Sequence, residues 1–144
     1  MAKKEKKKNS KAKKDETVVI LPGIHNECLG LLAEAHDHFY QYGEEEQSHL
    51  NQRERIMYAS EMSRITIRLS CVMAWLMTRK AVFSGKLTEL EAASKYRLDC
   101  RDVCLNQHVK AESILPKKVV ALLDKSFELY QRVARLDDLA DKKE

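Results

Sequence analysis

The sequence predicts an all-α protein, an antiparallel three-helix bundle with a short extra helix, paired as a homodimer. Three observations lead there. The 144 residues are 33% charged with only four glycines and two prolines, too few turn formers for the many reversals of a sandwich or barrel. Residues 51–84 hold neither Gly nor Pro and would make one helix about 50 Å long. Apolar residues recur at intervals of three and four in three separate segments, the period of a helix face.

The formal net charge of +4 is unevenly spread. Residues 1–16 hold eight lysines against Glu5, Asp15 and Glu16, and the remainder carries eighteen basic and nineteen acidic side chains. The body is therefore close to neutral. A basic readout domain would concentrate its charge on the fold itself. A disordered Lys-rich tail over residues 1–16 is expected, because it offers almost no apolar surface to offset its ordering entropy. The helical domain is then residues 17–138, and 139–144 fray. No apolar run reaches the roughly 18 residues of a membrane span, and the N-terminus lacks a signal-peptide core, so a cytoplasmic protein is expected.

Thr17 to Leu21 form a β-prone run closed by Pro22 and Gly23, expected as an extended lead-in packed on helices. Ile24, Cys28, Leu31, Leu32, Ala35 and Phe39 line one helix face. Gly43 is expected to end that helix, with Glu44 to Glu46 opening a solvated linker. On the long helix, steps of 100° sort three sectors. Tyr58, Met62, Ile65, Leu69, Val72, Leu76 and Phe83 form a core stripe. Ile56, Ala59, Ser63, Ile67, Ser70, Ala74, Met77 and Ala81 form a sector of small and apolar residues. A narrow wedge carries Glu61, Arg64, Arg68 and Arg79, with Cys71 and Trp75. Gly85 stops the helix, and Thr88 with Glu91 has capping-box spacing for a short helix. Residues 97–114 are only weakly periodic. From Leu115 and Pro116 a seam runs through Val119, Leu122, Ser126, Leu129, Val133, Leu136 and Ala140.

The four glycines are isolated, so no phosphate-cradling loop is legible, and neither an enzyme nor a cofactor is expected. Cys100, Cys104 and His108 are spaced at four and four, but on one helix the outer two would lie about 12 Å apart, too far to share a zinc ion. Packing cysteines and no metal site are expected. His36 and His38 point about 200° apart on a helix and read as surface residues. The best functional candidates are Arg64, Arg68, Trp75 and Arg79, since Trp and Arg anchor protein interfaces; the alternative is that the arginines pair internally and Trp75 packs. Ile56, Ala59, Ser63, Ile67, Ser70, Ala74 and Ala81 are the expected dimer interface, because left bare they form a long apolar strip.

Several segments resemble the RcdA family of small bacterial proteins. Ser63-Arg64-Ile65-Thr66-Ile67-Arg68-Leu69, Ala74-Trp75-Leu76, Arg79-Lys80-Ala81-Val82 and Gly85-Lys86-Leu87-Thr88 are followed by Leu115-Pro116, Leu129-Tyr130 and Arg132-Val133-Ala134-Arg135-Leu136-Asp137. They cover roughly residues 58–138 in consistent order. The Lys-rich tail and the few residues after the last helix depart from the family pattern. The resemblance implies a helical-bundle dimer without enzymatic activity, an adaptor that helps present substrate proteins to the ClpXP protease in cell-cycle-regulated proteolysis, located at a cell pole. The competing reading is a nucleic-acid or acidic-surface binding protein whose weak, nonspecific contacts run through residues 1–16 and fade with salt.

Overall fold

The computed structural model describes residues 2–106 and 114–141, with side chains over 20–106 and 114–140. Every regular element among them is helical: α1 Ala2–Ser48, α2 Gln52–Phe83, α3 Glu89–Lys95, α4 Arg101–Cys104 and α5 Lys117–Asp141. The long helix starts and stops where its chemistry directs. Asn51 caps α2 through Oδ1, which accepts from Glu54 N at 2.9 Å, while Glu54 Oε1 accepts from Asn51 N at 3.2 Å. At the other end Gly85 takes φ +77, and Lys86 N and Gly85 N donate to the carbonyls of Ala81 and Val82, a left-handed stop that glycine adopts without strain. Thr88 caps α3 by accepting from Glu91 N at 3.1 Å.

Helix α1 departs from the sequence expectation at both ends. Residues 17–21 are helical rather than extended, and the helix runs on through Pro22 and takes in the Lys-rich stretch. Leu21, Ile24, Cys28, Leu31 and Ala35 are all buried, so one continuous stripe crosses the proline, which itself faces solvent. Packing overrides the local breaker. Gly43 likewise does not end the helix. It is buried, and a Cβ there would meet the Phe39 ring at 3.2 Å, so its bareness admits that ring. Glu44 to Glu46 are the last turns of α1 and not a linker. Glu46 is clasped by His38 Nε2 at 2.6 Å and by the Tyr58 hydroxyl at 2.8 Å. His38 is therefore largely buried, contrary to its expected surface place, whereas His36 is exposed.

The core lies between α1, α2 and α5. Ile65, Leu69, Val72 and Leu76 meet Cys28 and Leu31 on one side and Val119, Leu122, Leu129 and Val133 on the other. Each such side chain contributes about 1.5–3 kcal/mol. Cys28 donates its S–H to the Leu69 carbonyl at 3.3 Å. Helix directions follow from pairwise contacts. α1 runs antiparallel to α2, with His25 against Lys80 and Glu46 against Tyr58, and antiparallel to α5, with Glu27 against Arg132 and Glu34 against Lys118. α5, however, runs parallel to α2, with Arg68 at Leu123 and Trp75 at Asp137. An antiparallel three-helix bundle in simple up-down-up order would set α5 antiparallel to α2, so the sequence expectation is corrected at that pair. The chain between α2 and α5 is long enough to travel back along α2 before α5 begins.

Burial raises the Cys28 thiol from 9.0 to about 11, with Glu27 adding to the shift. The Tyr58 phenol is raised above its ordinary 10.0 by burial first and Glu46 second. Both groups are held neutral, so their contribution to stability is complete below the unfolded-state values and lost as pH climbs through the folded ones. The urea midpoint is expected to hold steady to about pH 9 and to fall between about pH 9 and 11; a midpoint unchanged across that upper interval would contradict this packing.

Candidate functional site

The wedge expected to bind partners faces inward. Arg64, Arg68, Cys71, Trp75 and Arg79 recur at four, three, four and four along α2, one stripe by helical spacing, and the chain linking α2 to α5 lies along it in the opposite direction. Arg64 Nη1 donates to the Asn106 carbonyl at 3.0 Å. Arg68 Nε donates to the Cys104 carbonyl at 2.8 Å and Nη2 to Asn106 O at 3.3 Å. Farther along, Arg79 Nη1 meets Glu89 Oε2 at 3.2 Å. Residue numbers on the connector rise as those on α2 fall.

Arg68 is the centre of this arrangement and is only 2% exposed. Beyond the connector it reaches α5, where Nη1 donates to Leu123 O at 3.0 Å and Ser126 Oγ at 3.3 Å. Its guanidinium lies 5.1 Å from the centroid of the Phe127 ring, a cation–π distance. Burial first, then the neighbouring Arg64, lowers its pKa, but a guanidinium stays charged in a protein. The charge is accommodated by carbonyl and hydroxyl oxygens.

Asp137 is the complementary hub on α5, 5% exposed. Its Oδ1 accepts from Trp75 Nε1 at 3.1 Å. Oδ2 accepts from Arg97 Nε at 3.2 Å, Leu98 N at 3.3 Å and Arg101 Nη2 at 2.6 Å. Asp138 takes the outer faces of the same two arginines, each at 2.9 Å. Trp75 is 3% exposed, and Arg79 stands 6.0 Å from its ring. Arg68, Trp75 and Arg79 therefore reach other helices, and Arg64 reaches the connector at Asn106 and Glu61 on its own helix, close to the internal alternative read from the sequence. Asp137, the partner of Trp75, and the Arg97 and Arg101 that share it were not legible, because pairing across 36 to 62 residues leaves no local pattern.

The small-residue sector behaves differently. Ile56 is 61% exposed and Met77 50%; Ala59, Ser63, Ser70 and Ala74 are exposed, and Ile67 and Ala81 half-buried. Ile67 is partly packed against the core, and the rest of that face is largely open among the described residues. Cys100 and Cys104 are drawn to Cys71, and Cys104 is fully buried. Among the described residues no group of three His, Cys, Asp or Glu side chains is placed to hold a metal; His108 lies outside them. No helix among them is long and apolar enough to cross a membrane.

Residues 7–144 match the model of a family described as protein of unknown function DUF1465. The chain belongs to that family. The crystal structure of RcdA from Caulobacter crescentus is similar to this chain with a TM-score of 0.66 and 24% identity, over 86% of this chain and 92% of that one. That likeness establishes a shared fold. No curated protein matches. In this DUF1465 chain the segments that carry the RcdA resemblance meet in space: Arg64 and Arg68 hold the connector, and Trp75 meets the Asp137 that closes the last motif.

Asp137→Ala would leave Trp75 Nε1 and Leu98 N buried without their acceptor and take from Arg97 and Arg101 the buried one of their two carboxylates. A loss of about 3 kcal/mol or more is expected in urea denaturation, against a few tenths for the exposed control Asp102→Ala. Equal effects of the two changes would contradict the hub.

Proposed function

We propose that this chain is a non-enzymatic adaptor that works as a homodimer and helps present substrate proteins to the ClpXP protease, the role the RcdA resemblance implies, and that it acts in the cytoplasm at a cell pole. The observation that carries the reading is the division of labour around α2. The arginines, the tryptophan and the aspartate that could serve chemistry are spent on internal ties. The face left over is a largely exposed strip of small and apolar side chains between Ile56 and Ala81, with Ile67 and Ala81 half-buried, which suits close approach of a second helix. A second copy of the same face supplies such a helix, since two-fold pairing is the commonest oligomer. Adaptor work needs surfaces that bring proteins together rather than a reacting group.

Ala74 is exposed in the single chain, so Ala74→Glu leaves the monomer fold intact and places an unpaired carboxylate in the proposed interface. Light scattering after gel filtration is expected to give a dimer for the unaltered chain and a monomer for the variant; a monomeric unaltered chain or a dimeric variant contradicts the pairing. The adaptor role is tested separately by immobilising the chain, passing lysate of its own organism over it and identifying retained proteins by mass spectrometry. Retention of ClpX or ClpP together with a regulatory protein is expected. A column that retains neither protease component refutes the role.

A further inference from the structure

Three of the four cysteines converge at one place on the stripe although they lie 29 and 33 residues apart in sequence. The connector runs opposite to α2, with Arg79 on Glu89 and Arg68 on the Cys104 carbonyl. Cys100, one turn before Cys104, therefore comes level with Cys71, one turn after Arg68, and Cys100 and Cys104 both bear on the Cys71 thiol. All four cysteines are free of disulfides. The convergence does not depend on the sulfur atoms, because the backbone around Cys100 is fixed from both sides by other groups. The Tyr130 hydroxyl donates to the carbonyl of Asp99, the residue before it. Arg101, the residue after it, is held by Asp137 and Asp138. One turn farther on, Arg68, three residues from Cys71 on the same face of α2, holds the Cys104 carbonyl at 2.8 Å. Between these clamps Cys100 is forced into left-handed backbone, φ 62 and ψ 30, the only positive-φ residue other than glycine among those described. Gly, Asn and Asp adopt that conformation readily and cysteine does not.

The three thiols differ in access. Cys104 is sealed from solvent, Cys71 is half-buried and Cys100 is exposed. Only Cys100 is open to an oxidant from outside, and only Cys71 lies behind it as a second thiol reached from another helix. We propose that Cys71 and Cys100 form a site of reversible oxidation, in which a hydroperoxide converts the pair into a disulfide that staples the connector to the long helix. The Cys100 thiolate attacks one peroxide oxygen and expels hydroxide, leaving a sulfenic acid. The Cys71 thiolate then attacks that sulfur and displaces its hydroxide, so the S–S bond forms as two thiol hydrogens leave in two molecules of water from hydrogen peroxide. Burial and the contact with Cys100 push the Cys71 thiol up to about 12, so the second step is expected to accelerate as pH rises through the neutral and alkaline range. A dithiol reductant reverses the reaction by exchange.

The test exposes the reduced full-length chain to a few equivalents of hydrogen peroxide, traps remaining thiols by alkylation and reads intact mass and tryptic peptides. Arginines 68, 79, 97 and 101 place the two cysteines on peptides 69–79 and 98–101. The expected result is a loss of two alkylatable thiols from four, a mass lower by about 2 Da as two hydrogens depart, and a linked pair of those two peptides that dithiothreitol separates. Cys28→Ser should leave this unchanged and Cys100→Ser, an exposed position, should abolish it. The same treatment in unfolding urea should slow the linkage at least about tenfold, since the fold supplies the proximity. A Cys71–Cys104 link, a disulfide between two chains through Cys100, or Cys100 carried to sulfinic acid with Cys71 still free would each overturn the proposal. So would linkage at an equal rate in urea.

Discussion

The structure depends on the burial of one guanidinium. Arg68 has five donors in a fixed fork, and the described chain offers them four oxygens, from Cys104, Asn106, Leu123 and Ser126, on two separate segments. Desolvating a charge costs several kcal/mol unless its donors are met, so those oxygens cannot drift without exposing that cost. The arginine sits on α2 and its acceptors on the connector and α5. Its requirement for partners therefore fixes where both lie, in a way that apolar packing, which is non-directional, could not.

From that constraint the topology follows. The connector is held along α2 from Asn106 back to Glu89, and it is this return path that brings α5 in parallel to α2. Asp137 repeats the logic with opposite charge, gathering Trp75 from α2 and Arg97, Leu98 and Arg101 from the connector. A short chain thus closes two of the three sectors of its longest helix with its own residues, one by apolar burial and one by paired polar groups. The third sector is left largely exposed, and the surface available to another molecule is set by what the interior has already used.

Periodicity made the long helices legible, since the 3.6-residue repeat is local and survives any arrangement of partners. The core stripe of Ile65, Leu69, Val72 and Leu76 and the α5 seam through Val119, Leu122, Leu129 and Val133 are buried as the spacing implies. The cap at Thr88 was legible too, because its signal is a side chain three residues from its partner, and the start of α2 near Asn51 followed from the run free of Gly and Pro. Breakers were less informative. Pro22 and Gly43 sit inside α1 because burial of Leu21 and Ile24, and the room Gly43 leaves for Phe39, outweigh their local preferences. Helix direction and the inward turn of Arg68 and Trp75 were illegible for a different reason. A charged stripe on a helix reads the same whether it faces solvent or a distant carbonyl, and the carbonyls of Cys104 and Asn106 have no side-chain signature.

Native-state hydrogen exchange tests most directly whether the buried stripe makes the connector part of the cooperative fold. The amides of Leu98, Cys104 and Leu105 donate to Asp137, Cys100 and Arg101 within the clamped segment. If the stripe governs the fold, they open only with the bundle and exchange with protection comparable to the amides of Leu69 and Val72 in the middle of α2. Exchange of Leu98 and Cys104 as fast as an unstructured loop, with α2 and α5 still protected, would contradict the account.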